Sequence, residues 1–180
     1  ADTAKRLSRF LPAVRDTALD RIVNLGDADK GNKSATCAKL QDAVDYVSSK
    51  RRPDGTRAPG IIFAHGREAV KRLKAEVAKT GARVVTLTGE NSSAEKEQAR
   101  LKFQPANGKS EADIIICSDA GAVGANLQRA AWVMQYDTPD TAKTWEQRIG
   151  RMERIGQLNP EIEAVDLVSS TPYEAGRRKR

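Results

Sequence analysis

Two arginines one helical turn apart, Arg151 and Arg154 in the run WEQRIGRMERIGQ (Trp145 to Gln157), are the residues best suited to hold a polyanion in this chain of 180. A guanidinium is planar, always charged and forked, so a pair at this spacing suits the oxygens of a triphosphate. At helical period Gln147, Arg151 and Arg154 share one face, while Trp145, Ile149 and Met152 share another, roughly opposite. The apolar face is expected to hold the segment on a core, with the arginines aimed outward. Taken alone, such a pair is more often a solvated basic surface. The rest of the chain bears on the choice.

A second stretch, SDAGAVGANL (118–127), follows an apolar run and has the composition of a phosphate-contacting loop. Gly121 and Gly124 permit close backbone approach, and Ser118 offers a hydroxyl at the end of the expected strand. A third stretch is a near miss. Gly26, Gly31, Lys33 and Ser34 almost spell GxxxxGK followed by Ser or Thr, but Asn32 intervenes and IVNL is a poor strand to precede it. That segment reads as a Gly/Asp-rich linker.

Composition bounds the elements that must position these residues. A hydrophobic fraction of 39% and a charged fraction of 31% fit one globular domain with a sizeable core. No apolar run approaches the ~18 residues of a membrane span, so no membrane partner is expected. The N-terminus lacks the apolar centre of a signal peptide. Cys37 and Cys117 are far apart, without a CxxC or neighbouring His, which argues against zinc and suits a reducing interior. Four of the seven net positive charges lie in the last four residues; the remaining +3 fits a nucleic-acid partner only weakly.

Residues 4–23 show helical spacing interrupted at Pro12, and residues 35–49 form a second amphipathic pattern with Leu40, Ala43, Val44 and Val47 inward. Beyond a polar loop, short apolar runs alternate with helical patterns. Strands are expected at 60–64, 83–87, 112–118, 130–136 and 161–168. The pattern predicts an α/β fold, a parallel sheet of five to six strands with helices on both faces. Ligands then gather where the strands end, at the loops AHGRE, TGENSS, SDAGAVGANL, DTPDT and SSTPYE.

SDAGAVGANL followed twenty residues later by QRIGRMERIGQ resembles motifs V and VI of superfamily-two helicases and translocases. The resemblance is closer to the SWI/SNF-like group, and motif VI is most similar to that of the bacterial ATPase that recycles RNA polymerase. It covers about residues 35–175 as one RecA-like C-terminal lobe, with 1–34 as a helical segment and linker and 176–180 as a basic tail. Ala38-Lys39-Leu40 resembles the helix before motif IV, IIFAHG resembles the start of motif IV, and LTGENSSAEKEQARLKF runs into motif IVa. Departures are Lys96 for the usual Arg, Asp119 and Ala122 in motif V, and TPDT where Trp-Asn-Pro is usual. Asp119 is what DEAD-box relatives often carry.

The resemblance implies roles by position. Arg151 and Arg154 are the fingers that reach the γ-phosphate of ATP across a cleft between two lobes. Gln147 helps close the lobes, and Gly124 and Asn126 lie beside the nucleotide, with Asn126 near the ribose. Ser118 touches a nucleic-acid backbone, and His65, Gly66, Arg67, Thr88 and Gly89 line the same track. Nothing in the sequence matches the phosphate-binding lysine or DExx motifs of a first lobe. ATP is therefore expected to be shared with such an N-terminal RecA-like lobe, which would hold Mg2+, and this chain alone is expected to be inactive. The implied partner is DNA, double-stranded, in a bacterial or phage-infected cytoplasm or, for a eukaryotic source, a nucleus. Simpler roles stand beside these: Ser118 and Asn126 as caps, His65 and Lys96 as surface residues, Trp132 and Trp145 as core. An unwinding DNA or RNA helicase and a non-catalytic nucleic-acid or protein-binding module remain alternatives.

Overall fold

Strands of four residues build the sheet, the three inner ones buried along their length. The computed structural model describes residues 38–139 and 141–167. The expected N-terminal helix and linker, the SSTPYE turn and the basic tail lie outside the described residues. The elements are α1 (Ala38–Ser49), β1 (Gly60–Phe63), α2 (Arg67–Lys79), β2 (Val84–Leu87), α3 (Ser93–Phe103), β3 (Ile114–Cys117), β4 (Trp132–Gln135), α4 (Ala142–Ile149) and β5 (Glu163–Asp166).

The five strands are parallel, in the order β2-β3-β1-β4-β5. Their register aligns the last residues, Leu87, Cys117, Phe63, Gln135 and Asp166, along one edge. All the loops that follow strands therefore open on the same side. This is the α/β fold expected, with five parallel strands and helices on both faces.

Alternate residues feed two cores, as the two-residue period of a strand requires. Ile62, Ile114, Ile116, Trp132 and Met134 pack with Leu40, Ala43 and Val47 of α1 and with Ala69, Val70, Leu73 and Val77 of α2. Ile61, Phe63, Ile115, Cys117 and Val133 pack on the other face with Ala99 and Phe103 of α3, Ile149 of α4, and Met152. The three inner strands are fully buried, whereas the edge strands β2 and β5 are only partly covered. Ser92 caps α3 in a reciprocal box, accepting from the Glu95 amide while the Glu95 carboxylate accepts from the amide of Ser92.

The opening segment departs from expectation. α4 stops at Ile149 with Gly150 as its cap, and residues 151–157 form turns rather than a continuing helix. Other partners take the carbonyls that further helical turns would use. The Arg151 oxygen accepts from the distant Leu127 amide at 3.0 Å, and the Met152 oxygen accepts from Gln157 Nε2, within the turn itself, at 3.1 Å. Met152, wholly buried, pins the turn to the core. Arg151 and Arg154 are thus presented by a moored turn, not by one helix face.

Candidate functional site

At the carboxyl edge of the sheet one ion pair ties two loops together. Arg148, on α4, is only 2% exposed. Its Nε and Nη2 donate to the two oxygens of Asp119 at 2.6 and 2.8 Å. Its Nη1 donates to Gln135 Oε1 at 2.6 Å and to the Asp137 carbonyl at 2.9 Å, and the guanidinium lies 5.0 Å from the centre of the Phe63 ring. A buried guanidinium needs this full set of partners, since an unpaired one carries a large desolvation cost. Burial pushes the Asp119 carboxyl up, but the bonds and charge of Arg148, with His65 adding to them, hold it below its ordinary value.

Asp119 and Ala120 lie between two clefts and line both. The larger, about 600 Å³, runs between α2 and the ends of β2 and β3 and is lined by His65, Arg67, Lys71, Lys74, Thr88, Gly89 and Ser118 among others. Ser118 Oγ accepts from the amides of Gly89 at 3.2 Å and Gly121 at 3.1 Å, so the hydroxyl proton remains to be donated outward. Thr88 donates both its amide and its hydroxyl to Asn91 Oδ1, at 2.8 and 3.0 Å, which folds the β2–α3 loop on itself. His65 places Nδ1 3.6 Å from Asp119 and donates its amide to Asp137 Oδ2 at 2.6 Å. Arg67 pairs with Glu90 across the mouth. Gly66 is not part of the lining; it serves as the extended N-cap residue of α2.

The smaller cleft, about 250 Å³, lies between the loop after β3 and α4 and is lined by Phe63, Ala122, Val123, Thr144, Gln147, Arg148 and Arg151 besides the shared pair. Gln147 is exposed within it. Arg154 is outside it: the side chain is exposed and donates Nε to the Gly150 carbonyl at 2.9 Å. The two arginines therefore leave the turn in different surroundings.

The loop after β3 is built by two glycines with different tasks. A Cβ on Gly121 would stand 1.9 Å from the Leu87 carbonyl, so the loop can lie against the end of β2 only without a side chain. Gly124 has nothing within 4 Å and is required by its φ of +73°. The close approach expected of both belongs to Gly121 alone. Beyond them, Asn126 Nδ2 donates to Gln128 Oε1 at 2.8 Å, and Gln128 donates to the Ile155 carbonyl. Among the described residues Asn126 Oδ1 is buried without a donor. Gln157 and Asn159 also bond to the Ala130 carbonyl, mooring the arginine turn to the loop.

Arg148 and Gln128 were not among the residues the sequence singled out. A signal existed for Arg148: an acidic residue, Asp119, where the resembling motif has a hydroxyl calls for a cation nearby. Nothing marked Gln128. Trp132 is core, as one reading had it, while Trp145 is half-buried and reaches Asp166 with Nε1 at 3.4 Å. Among the described residues no group of three or more His, Cys, Asp or Glu could hold a metal ion.

Residues 38–156 match the family model of the helicase conserved C-terminal domain. Among solved structures, the chain is similar to the C-terminal part of the Fun30 ATPase domain, with a TM-score of 0.70 and 19% identity over 80% of this chain and 45% of that one. It is also similar to the Escherichia coli DEAD-box protein SrmB, solved bound to RraA, with a TM-score of 0.60 and 20% identity over 77% and 75% of the two chains. The C-terminal domain of the DEAD-box protein Dbp5 gives a TM-score of 0.59 and 18% identity over 78% and 77%. This chain thus spans under half of the Fun30 structure it resembles.

Proposed function

The chain belongs to the helicase conserved C-terminal domain family, and on that premise we propose that it is the second lobe of an ATP-driven DNA translocase of the SWI/SNF-like kind. The larger cleft is its nucleic-acid track and the smaller one its half of a nucleotide site. The observation that carries this reading is the position of Asp119, which borders both clefts and is locked to the helix that leads into Arg151.

ATP bound between two lobes would supply the phosphoanhydride whose hydrolysis drives the motor. On this side Arg151 and Gln147 face the small cleft, and Arg154 stands beside it to be brought in when a first lobe closes. Asn126 Oδ1, an acceptor lacking a donor among the described residues, is the group here that a ribose hydroxyl would satisfy. Mg2+ and the lysine that cradles the phosphates belong to the first lobe, because phosphoryl transfer needs both and this sequence offers neither motif. Ser118, with its acceptor positions filled and its proton free to donate, is suited to a phosphate oxygen.

A second reading, an unwinding helicase, is favoured by Asp119 and by the likeness to two DEAD-box proteins. The Gly156-Gln157 ending of the arginine turn favours the translocase. The test uses the 180-residue chain itself. It is expected to bind nucleic acid, weakening steeply with salt as phosphate contacts do, and to hydrolyse ATP no faster than buffer. Nucleic-acid-stimulated hydrolysis by this chain alone would overturn the half-site reading.

A further inference from the structure

We propose that five arginines at the amino edge of the sheet, Arg51, Arg52, Arg57, Arg83 and Arg129, form a docking surface for a short acidic segment of a partner protein. This surface is separate from both clefts, since none of the five lines either one.

The register aligns Val84, Ile114, Gly60 and Trp132, the first residues of β2, β3, β1 and β4. Arg83 stands one residue before β2 and Asp113 one before β3, while Arg57 and Arg129 precede β1 and β4 by three. Four strand starts at a spacing of ~4.8 Å make an edge of about 14 Å. Arg51 joins that edge through a backbone bridge to Arg57, and brings Arg52 with it.

Among the described residues only Arg83 of the five has a carboxylate partner. Its Nε and Nη2 donate to the two oxygens of Asp113 at 3.1 and 2.6 Å. Arg57 donates to the carbonyls of Val47 and Thr80, each at 2.8 Å, and Arg129 to those of Phe103 and Ala112 at 3.1 and 2.9 Å. Carbonyls fix the direction of a guanidinium and leave its charge in place. Arg51 and Arg52 make no ion pair or side-chain hydrogen bond among the described residues. The charges crowd one another. Burial and then Arg52 pull the Arg129 guanidinium below its ordinary value, and burial and then Arg51 do the same to Arg57, with Asp113 opposing in both.

An anion relieves this crowding, and the carboxylates already present say of which kind. Asp54 lies in the field of Arg52, and Glu111 in that of Arg83. A phosphate backbone carries a charge at every step and would be repelled at both places. A peptide can put its carboxylates only where a guanidinium waits. The hold of Arg83 on Asp113 displays the geometry on offer, a carboxylate gripped by both oxygens, which is how arginine clusters read acidic motifs. Alternate residues of an extended chain lie about 6.6 Å apart on one side, so two or three Asp or Glu at alternate positions fit the edge. Arg57 and Arg129, pinned and part-buried, have little side-chain freedom left to lose on binding.

Fluorescence anisotropy of the 180-residue chain tests this with a labelled ~10-residue peptide carrying Glu at alternate positions, and with its Gln counterpart. The Glu peptide is expected to bind at least roughly tenfold more tightly than the Gln peptide, and to weaken as salt rises. Arg51→Gln/Arg52→Gln should weaken it about tenfold, and Arg129→Gln should weaken it too, with circular dichroism reporting whether each variant is folded. Lys71→Gln/Lys74→Gln, in the larger cleft, should leave it within twofold. Equal affinity for the two peptides, absence of binding included, overturns the proposal. So does a loss in the lysine variant with none in the arginine variants. A ~20-nucleotide single strand that loses as much affinity as the peptide when the arginines are replaced would overturn it as well, by giving the surface to nucleic acid.

Discussion

Asp119 stands at the point where two clefts meet, and its chemistry differs from that of a surface carboxylate. Arg148 gives up water for Asp119, Gln135 and one carbonyl, so removing Asp119 leaves a buried guanidinium short of its counter-charge. Asp119→Asn is expected to cost about 3 kcal/mol at neutral pH, read by urea denaturation. The sign of its pH dependence follows from the carboxyl being held below its ordinary 3.8. The stabilisation is complete above that value and is lost as pH falls through the lowered one. The gap between wild type and variant should therefore persist to about pH 4 and close below it. A gap unchanged down to pH 2.5 would show that the bridge does not stabilise the fold. The buried thiol of Cys117, pushed far up by burial, plays no part in this range.

At the scale of elements, the loop after β3 and the turn after α4 act as one piece. Gly121→Ala should destabilise by about 1–3 kcal/mol because the new methyl meets backbone at the end of β2. Gly124→Ala, which meets nothing, should cost only the roughly 1 kcal/mol of a left-handed residue. Thermal denaturation of both variants checks the order, and a larger loss at Gly124 would contradict the packing described. The strands were legible in the sequence because GIIF, IIIC and WVMQ are apolar on both faces, the mark of buried parallel strands. The cap of α3 was passed over, although Ser92 and Glu95 are the residue types of a capping box. The end of α4 was not legible, since helical period continues through Met152 and Gly150 alone marks the stop. What breaks the helix is a bond from Leu127, more than twenty residues earlier in the chain, and local pattern carries no record of such a partner. Arg148 was hidden for the same reason. Between Gln147 and Ile149 it reads as one more charge on an exposed face.

For the whole molecule, the parallel sheet brings its loops to one edge, and that edge is divided by Asp119 into a larger cleft beside α2 and a small one beside Arg151. In the proposed motor, movement of the first lobe on nucleotide binding would be felt at Arg151, carried through α4 and the Arg148–Asp119 bridge, and met at Ser118 and His65. The central claim is that Arg151 completes a phosphate site shared with another lobe. Its most direct test is the rate of ATP hydrolysis by the protein that joins this lobe to its first lobe, with and without Arg151→Ala. The expected result is a fall of roughly 10³- to 10⁵-fold with nucleic-acid affinity within twofold. An unchanged rate, or an equal loss of affinity, would contradict it.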